Sequence, residues 1–351
     1  MAFLRNTWYI AAWQNEVATG ALFNRTILDE TIVFYRKQDG AVAAIGDRCP
    51  HRFAPLHLGK IDGDCVQCPY HGLKFDSSGQ CAHNPHGEGA IPKAARVKAY
   101  PVVERHLAVW IWMGDPALAD PARIPDYAFL SAAKPSARNT GYLFTKANYE
   151  LLCDNIMDLS HVDYLHPATL GGGALSSVKP QVTEQDGQVR IVWEARNTVA
   201  PPAFAMHLAD PAAPADQCVE VHWSAPALMF LTTGVTAAGT SFEDGVSSAN
   251  VHLMTPESET TTHYFFANTR SFLQDDADFN RMLDKILVGV FADEDKPMVE
   301  GQQKLMGGSD LWALKPVLLP GDVGAVRVRR VLERLIREES ATAPSPIAAV
   351  N

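Results

Sequence analysis

Short runs of hydrophobic and β-branched residues recur through the first third of the chain, and they predict strands. TIVFYRK and AVAAIGD flank the turn signal QDG, and the aromatic run HLAVWIWMG closes the series. Short runs of this composition, separated by turn residues, are typical of β-structure. We therefore predict an all-β domain over residues 1–115.

A proline-rich stretch follows these strands. GDPALADPARIPDY places Pro116, Pro121 and Pro125 within ten residues. Proline removes a backbone donor and breaks regular helices and strands. The pattern predicts a linker over residues 116–128.

The pattern then becomes mixed. NYELLCDNIMDLSHVDYLH indicates a helix, residues 182–270 indicate mostly strands, and ADFNRMLDKILVGVFADED repeats apolar positions at the spacing of an amphipathic helix. This α+β pattern predicts a second domain over residues 129–338. The final segment, ESATAPSPIAAVN, is rich in small residues and proline, which predicts a flexible tail over 339–351.

Length and charge add two constraints. With 351 residues, 47% of them hydrophobic, the chain exceeds the roughly 250–300 residues of one hydrophobic core, so two packed units are expected. The net charge of −10, with no basic stripe to offset it, argues against binding to nucleic acid. The sequence also lacks the glycine-rich signatures of NAD, FAD and ATP sites, so we expect none of these cofactors in this chain.

Targeting signals are missing as well. The apolar runs are a few residues long, against the ~20 needed to cross a bilayer, and MAFLRNTWYI has no signal-peptide core. We therefore expect a cytoplasmic protein that does not contact a membrane. In that reducing compartment, a group of Cys and His residues indicates a metal or catalytic site more often than a disulfide.

Such a group lies in the β-rich half. C-P-H at Cys49 and His51 is followed, after sixteen intervening residues, by C-P-Y-H at Cys68 and His71. Zinc would favour a C-x-x-C knuckle and a separate His pair. Here each half offers one thiolate and one imidazole, as a mixed-ligand [2Fe-2S] centre requires, with both thiolates on one iron and both imidazoles on the other.

A second candidate site lies in the α+β half. His161 and His166 are five residues apart, about 140° on an ideal helix, so they face one metal only if the turn widens or the helix ends. Pro167 favours an ending. Two histidines and a carboxylate form the facial site of non-haem iron oxygenases. The acidic run at 293–295 offers Asp293, Glu294 and Asp295, and periodicity does not choose between the last two.

The motifs resemble those of the Rieske non-haem iron oxygenases over nearly the whole chain. The resemblance extends to vanillate and dicamba O-demethylases and toluenesulfonate methyl-monooxygenase, and it rests on RNTWYIAAW, CPHRFAPL, CPYHGLKFD, NYELLCDNIMDLSHVDYLHPATLG and LMTPESETTTHYFF. Respiratory Rieske proteins carry one further cysteine in each loop, where this chain has Ala54 and Tyr70. The loops are therefore similar to those of the oxygenase branch.

This resemblance implies further assignments. The aspartate ligand follows a glutamate in this family, which selects Asp295. A homotrimer is implied, in which Asp158 lies between the cluster of one subunit and the mononuclear iron of the next, and Asn155 is assigned to the same catalytic centre. On a continuous helix, Asp158 would project on the side of His161, three residues later, and its carboxylate would reach that imidazole.

The implied fold is a helix-grip domain, a curved antiparallel sheet around a long helix. The implied reaction is O2-dependent hydroxylation of a methyl or methoxy carbon on an aromatic acid or similar aromatic, including oxidative O-demethylation. Electrons would come from a separate ferredoxin or NAD(P)H-dependent reductase.

Substrate contacts are the least determined part of the sequence. The resemblance assigns His252, on the strand that leads into TPE, to the polar group of the substrate. On the preceding strand, ALMFLTT, we look for a partner at Met229 or Phe230. Either Thr232 takes this role instead, or the substrate is less anionic than vanillate, dicamba or a sulfonate.

Two other functions remain open at this stage. An arene cis-dihydroxylase uses the same metals but yields a diol instead of a phenol and formaldehyde. A Rieske electron carrier or iron-sulfur sensor would hold the cluster without the mononuclear iron.

Overall fold

The computed structural model describes residues 3–342, which form two compact units. The N-terminal unit comprises Arg5–Ser131 and Thr255–Glu259. The second unit, called the catalytic unit after the site described below, comprises residues 3–4, Ala132–Met254 and 260–342. Of the predicted tail, residues 339–342 belong to the last helix, and 343–351 lie outside the described residues.

The N-terminal unit is an all-β domain, as predicted. Its eleven strands form three antiparallel sheets with the orders β1-β11-β10, β2-β3-β4-β9 and β5-β6-β7-β8. The strands are β1 Trp8–Trp13, β2 Phe23–Ile27, β3 Glu30–Arg36, β4 Val42–Gly46, β5 Lys60–Asp62, β6 Cys65–Gln67, β7 Lys74–Phe75, β8 Cys81–His83, β9 Ala99–Tyr100, β10 Val102–Arg105 and β11 Ala108–Trp112.

The segment predicted as a linker, 116–128, folds as part of this unit. It forms two short 3-10 turns, Pro116–Leu118 and Pro121–Arg123, each preceded by an aspartate whose side chain accepts from the turn. Ile124 and Tyr127 are buried. Proline excludes long helices and strands, but it suits the first position of a capped turn, so the linker interpretation was wrong here.

The catalytic unit contains one antiparallel sheet of seven strands, in the order β12-β18-β17-β16-β15-β14-β13. The strands are β12 Arg138–Thr145, β13 Gln181–Gln185, β14 Gln188–Thr198, β15 Ala215–Ser224, β16 Leu228–Ala237, β17 Val246–Ser258 and β18 Thr261–Arg270. The helices, counted from α1 at the end of the N-terminal unit, are α1 Ala128–Ala132, α2 Tyr149–Met157, α3 Val162–Leu165, α4 Pro202–Ala205, α5 Ala277–Gly289, α6 Lys296–Met306 and α7 Val323–Thr342.

One hydrophobic core joins one face of this sheet to α2, α5, α6 and α7. Side chains alternate across a strand, so alternate residues along part of β14–β16 enter the core, including Trp193, Trp223 and Met229. The helices contribute residues such as Ile156, Leu287, Val299 and Val328. The expected α+β fold, with a large antiparallel sheet around helices, is confirmed.

The end of β17 and the residue that follows it, Thr255–Glu259, belong to the N-terminal unit. Thr255 Oγ1 donates to the carbonyl of Ile10 at 2.7 Å, and the Leu28 amide donates to the carbonyl of Pro256 at 2.9 Å. The sequence of β17 predicts one continuous strand and does not indicate that its end belongs to another unit. Within residues 3–342, none of the helices has the length and apolar character needed to cross a bilayer.

Candidate metal centres and substrate cavity

The two Cys/His loops of the N-terminal unit have the same backbone design. In each, the cysteine amide donates to the carbonyl five residues later, at 3.0 Å for Cys49 and 2.7 Å for Cys68. Each cysteine carbonyl accepts from the amide four residues later, that of Phe53 or Gly72. Both of these residues have positive φ, 59° and 76°, a conformation that glycine adopts without strain. Two matched loops thus project the predicted ligands.

Burial separates the two ligand types. Cys49 and Cys68 are buried in the core beneath the loops, whereas His51 is exposed and His71 is half-buried. The two imidazole rings lie 4.5 Å apart between their centroids. Inner thiolates and outer imidazoles fit a [2Fe-2S] centre whose two irons have different ligands.

His161, His166 and Asp295 come together in the catalytic unit. Their ligand atoms all lie within 4.8 Å of one another. The Nε2 atoms of His161 and His166 lie 3.5 and 3.2 Å from Asp295 Oδ1. This arrangement of two imidazoles and one carboxylate fits a facial iron site.

The local backbone explains how histidines five residues apart can converge. Helix α2 ends at Met157, a 3-10 turn covers Leu159–His161, and α3 ends at Leu165. His166 is non-helical, with φ −121° and ψ 41°. The predicted helix ending is therefore present. On the opposite side, Val290–Asp295 is a π-helix between α5 and α6, and its wider turn explains why a 3.6-residue period could not select the carboxylate.

Neighbouring groups hold each of the three side chains. His166 Nδ1 bonds to the Glu294 carboxylate, His161 Nδ1 donates to the Asp158 carbonyl at 2.6 Å, and Asn155 Nδ2 donates to Asp295 Oδ1 at 3.0 Å. A partner on Nδ1 fixes the tautomer that leaves Nε2 available to a metal. The role of Glu294 was missed, because its position in the acidic run does not reveal its contact.

Charge at this site favours a cation. Burial alone would lower the pKa of His166, but its hydrogen bonds to Asp295 and Glu294 raise that pKa above the ordinary value. Two carboxylates around a buried imidazole attract positive charge, whether a proton or a metal ion.

The geometry expected for Asp158 was wrong. Asp158 caps the turn after α2, with φ −130° and ψ 89°, so it does not share a helical face with His161. Its backbone carbonyl contacts the imidazole, while its carboxylate accepts from the Ser160 amide at 3.0 Å. Asp158 Oδ2 lies beside Gly321, where an added Cβ would come within 2.7 Å. The helix break, which the sequence did not show, redirects the side chain.

A largely apolar cavity begins at the three metal-site residues. Its walls include Ile156, Leu175, Leu231, Leu287 and Phe291. His252 is a buried part of the lining: Nδ1 is 2.7 Å from the Tyr264 hydroxyl, and the ring packs edge-on against Phe291. Burial lowers the pKa of His252 to about 4, so the imidazole is neutral at neutral pH.

Phe230 and Thr232 do not line this cavity. Leu231 and Thr233 do, because alternate residues of β16 face opposite sides of the sheet. The expectation for Phe230 and Thr232 was therefore wrong by one residue. Unaligned sequence cannot detect such a shift, since ALMFLTT has no clear alternation.

Comparison with known proteins identifies the family to which both parts of the chain belong. Residues 7–101 match the Rieske [2Fe-2S] domain, and residues 145–338 match the vanillate O-demethylase oxygenase C-terminal domain. The chain belongs to the Rieske non-haem iron oxygenases. It is 40% identical to the oxygenase component of chloroacetanilide N-alkylformylase from Rhizorhabdus wittichii, over 96% of this chain and 97% of that protein.

Two further relatives belong to dicamba metabolism. The oxygenase component of dicamba O-demethylase from Stenotrophomonas maltophilia is 40% identical over 97% of this chain and 100% of that protein. The crystal structure of dicamba monooxygenase bound to 3,6-dichlorosalicylic acid superposes with a TM-score of 0.91 at 38% identity, covering 97% and 100% of the two chains. This Rieske oxygenase is thus the oxygenase component of a multicomponent mono-oxygenase. It uses a [2Fe-2S] cluster, a mononuclear iron and O2.

Proposed function

We propose that this oxygenase hydroxylates a methyl or methoxy carbon attached to an aromatic ring, and that O-demethylation is its main reaction. The observation that carries this proposal is the apolar cavity that begins at His161, His166 and Asp295. Relatives named dicamba and vanillate O-demethylase support it, and the comparisons do not favour a dihydroxylase or an electron carrier.

The metal ligands follow from the two sites. Cys49, His51, Cys68 and His71 are proposed to hold the cluster, with His161, His166 and Asp295 holding the iron. An iron with three protein ligands supplies O2 activation, because coordination positions stay open. Asn155 is proposed as a positioning residue for Asp295.

The remaining steps depend on the chain itself. The apolar walls exclude water and hold the ring, while His252 fixes a polar group. Insertion of one oxygen atom into a methoxy C–H bond gives a hemiacetal, which breaks into a phenol and formaldehyde. The second oxygen atom leaves as water, using electrons and protons from outside.

Those electrons are proposed to come from an NAD(P)H-dependent reductase, directly or through a ferredoxin. Transfer to the iron would then occur between subunits of a homotrimer. Each unit has an exposed apolar surface suited to such contact. On the cluster loops, Tyr70 is 65% exposed and Phe53 is exposed as well. In the other unit, Tyr164, which is 80% exposed, follows Asp158 closely in sequence, and the exposed Leu319 closely precedes Gly321, which lies beside the Asp158 carboxylate. Exposed apolar patches mark interfaces, and head-to-tail contacts close into rings.

We also propose a cytoplasmic location, which suits a chain whose cysteines are all unpaired in the structure.

The reaction is tested with purified protein, a reductase and NADH. Methoxylated and methylated aromatics would be screened for O2 uptake, and products assayed for formaldehyde. Formaldehyde with a phenol supports the proposal. A cis-diol, or O2 uptake that never yields a hydroxylated product from any member of the panel, would contradict it.

The cluster assignment predicts a large spectroscopic change in His71→Cys. Replacing an imidazole by a thiolate adds negative charge, so the centre should lose the Rieske EPR signal and, where it assembles, show a lower reduction potential. EPR of the dithionite-reduced variant measures this. His83→Cys, in the same unit but outside the two loops, is the matched control and should keep the native signal. An unaltered signal in His71→Cys would exclude His71 as a ligand.

The cavity predicts that His252→Ala weakens substrate binding. Burial keeps the pKa of the Tyr264 hydroxyl well above its ordinary value, so Tyr264 can donate to Nδ1 and leave the N–H at Nε2 for the substrate. Loss of one such bond should raise the dissociation constant by up to ~10-fold and lower the ratio of product to O2 consumed. Both metal sites should stay loaded. Thr232→Val, on the opposite sheet face, should change neither quantity, and unchanged coupling in His252→Ala would make His252 structural.

A further inference from the structure

Two polar side chains in the cavity wall have no protein partner. Gln217 on β15 and Thr233 on β16 are 3% and 9% exposed, and both line the cavity. Neither side chain takes part in a hydrogen bond with another residue in the described part of the chain. Their polar atoms are not enclosed by protein but open onto the cavity, so a ligand there can supply the hydrogen bonds that the protein does not.

These two side chains lie far from the iron end of the cavity. His252 is opposite Met229 in the β16–β17 pairing, whereas Thr233 is opposite Ser248. Four residues of strand therefore separate Thr233 from the His252 level, a span of roughly 14 Å at ~3.4 Å per residue. Leu231, halfway between, is apolar. A substrate that reaches both levels must be longer than one benzene ring.

The cavity offers no accessible positive charge at this outer level. Arg270 is its one cationic side chain apart from histidine. Its two terminal nitrogens donate to Asn280 Oδ1 at 2.6 Å and to the carbonyls of Ser136 and Leu273 at 2.7 and 2.9 Å. Its Nε has no hydrogen-bond partner in residues 3–342, but it is fully buried and so does not reach the cavity space. Arg270 therefore connects the end of β18 to the start of α5.

His252 offers no charge to the substrate at the inner level either, because its imidazole is neutral, and the iron is reserved for the methoxy or methyl end. A carboxylate transferred from water into such a cavity loses its hydration and gains no free cation in return. Neutral amide and hydroxyl groups, by contrast, match the side chains of Gln217 and Thr233.

We propose that the substrate is an elongated neutral aromatic whose outer end carries an amide-like or carbamate-like group, hydrogen-bonded by Gln217 and Thr233. This inference rests on the proposed function, since it takes the methoxy or methyl end to lie at the iron. It makes Gln217 and Thr233 the residues that determine specificity at the outer level.

Two probes of equal length, one ending in a neutral amide and the other in a carboxylate that only accepts hydrogen bonds, test it. 4-(4-Methoxyphenyl)butanamide and 4-(4-methoxyphenyl)butanoate share their length and their methoxy group. Dissociation constants for the metal-loaded protein, measured by calorimetry without reductant, should favour the amide by at least ~10-fold, about 1.4 kcal/mol. A butanoate that binds more tightly than the butanamide would overturn the proposal and assign Arg270 as an anion anchor.

Variants locate the contact. Gln217→Leu and Thr233→Val should each weaken amide binding by ~2–10-fold, one hydrogen bond each. Binding of 4-propylanisole, which lacks the outer polar group, should not change, and it reports a variant that fails to fold. Thr232→Val is the control on the opposite face. If amide affinity survives both cavity variants, the outer contact does not exist.

The binding measurements test the neutral substrate class independently of the proposed demethylation. Affinities are measured without electrons, so the preference for the amide can hold even if no probe yields formaldehyde, in which case only the proposed demethylation falls. Formaldehyde from the butanoate with tighter binding would instead retain the demethylation and remove the neutral substrate class.

Discussion

Asp295→Ala should lose the mononuclear iron and all turnover while keeping the [2Fe-2S] cluster. Asp295 is the single carboxylate of the three converging residues, and Asn155 and both histidines are arranged around it. Its removal leaves two neutral imidazoles, which hold a divalent ion weakly. Iron analysis should fall from about three to about two atoms per chain, with an unchanged cluster spectrum. His161→Ala and His166→Ala should behave alike.

The neighbouring carboxylate provides the internal comparison. Glu294 contacts His166 Nδ1 and not the metal-facing atom, so Glu294→Gln should weaken iron binding by ~10–100-fold without abolishing it. Activity should return when iron is supplied in excess. Full activity in Asp295→Ala, together with complete loss in Glu294→Ala, would reverse the assignment within the acidic run. Asp293→Ala removes an exposed carboxylate from the same π-helix and should leave the iron content unchanged.

The candidate metal-site residues could be selected from the sequence because ligand chemistry restricts residue type and spacing. Two short motifs, C-P-H and C-P-Y-H, were enough to identify the four candidate cluster ligands, which are Cys49, His51, Cys68 and His71. His161 and His166 needed one structural condition, a helix ending, which Pro167 signalled. Asp295 depended on the family resemblance, since the π-helix at Val290–Asp295 breaks the period on which helical-face arguments rely.

Other features depend on geometry that local sequence does not encode. The break at Asp158 redirected a side chain that a continuous helix would have placed beside His161. On β16, an error of one residue exchanged Leu231 and Thr233 for Phe230 and Thr232, because each step along a strand reverses the face. Whether the Gln217 side chain has a hydrogen-bond partner depends on the side chains of β14 and β16, which flank β15. Tertiary contacts of this kind carry no local signature.

Asp158→Asn should slow electron transfer from cluster to iron by orders of magnitude and leave both metal centres loaded. One carboxylate oxygen accepts from the Ser160 amide, and the other lies beside Gly321 without a hydrogen-bond partner in residues 3–342. In the proposed trimer, this second oxygen would accept a hydrogen bond from an imidazole of the neighbouring cluster. The Asp158 carbonyl already accepts from His161, so one residue would connect the two centres.

Asparagine keeps the size of the side chain and its capping oxygen, but it removes the charge that favours the bridge to a cluster imidazole. Stopped-flow absorbance of the pre-reduced variant, mixed with O2 and substrate, measures re-oxidation of the cluster. Gly321→Ala should also slow it, because the added Cβ would displace Asp158 Oδ2. Asp293→Asn removes an exposed charge from the π-helix and should leave the rate of cluster re-oxidation unchanged. A wild-type rate in Asp158→Asn would exclude the bridge.

Mixed trimers decide whether transfer crosses between subunits. Asp158→Asn chains keep the cluster, whereas His71→Ala chains keep Asp158 and the iron site but lose a cluster ligand, so each homotrimer should be nearly inactive. If the cluster of one chain serves the iron of the next, co-expressed chains will form interfaces at which an intact cluster faces an intact Asp158, and activity will reappear. Transfer within a single chain gives the opposite result, because every chain then lacks one of the two parts, and mixtures would remain as inactive as either parent.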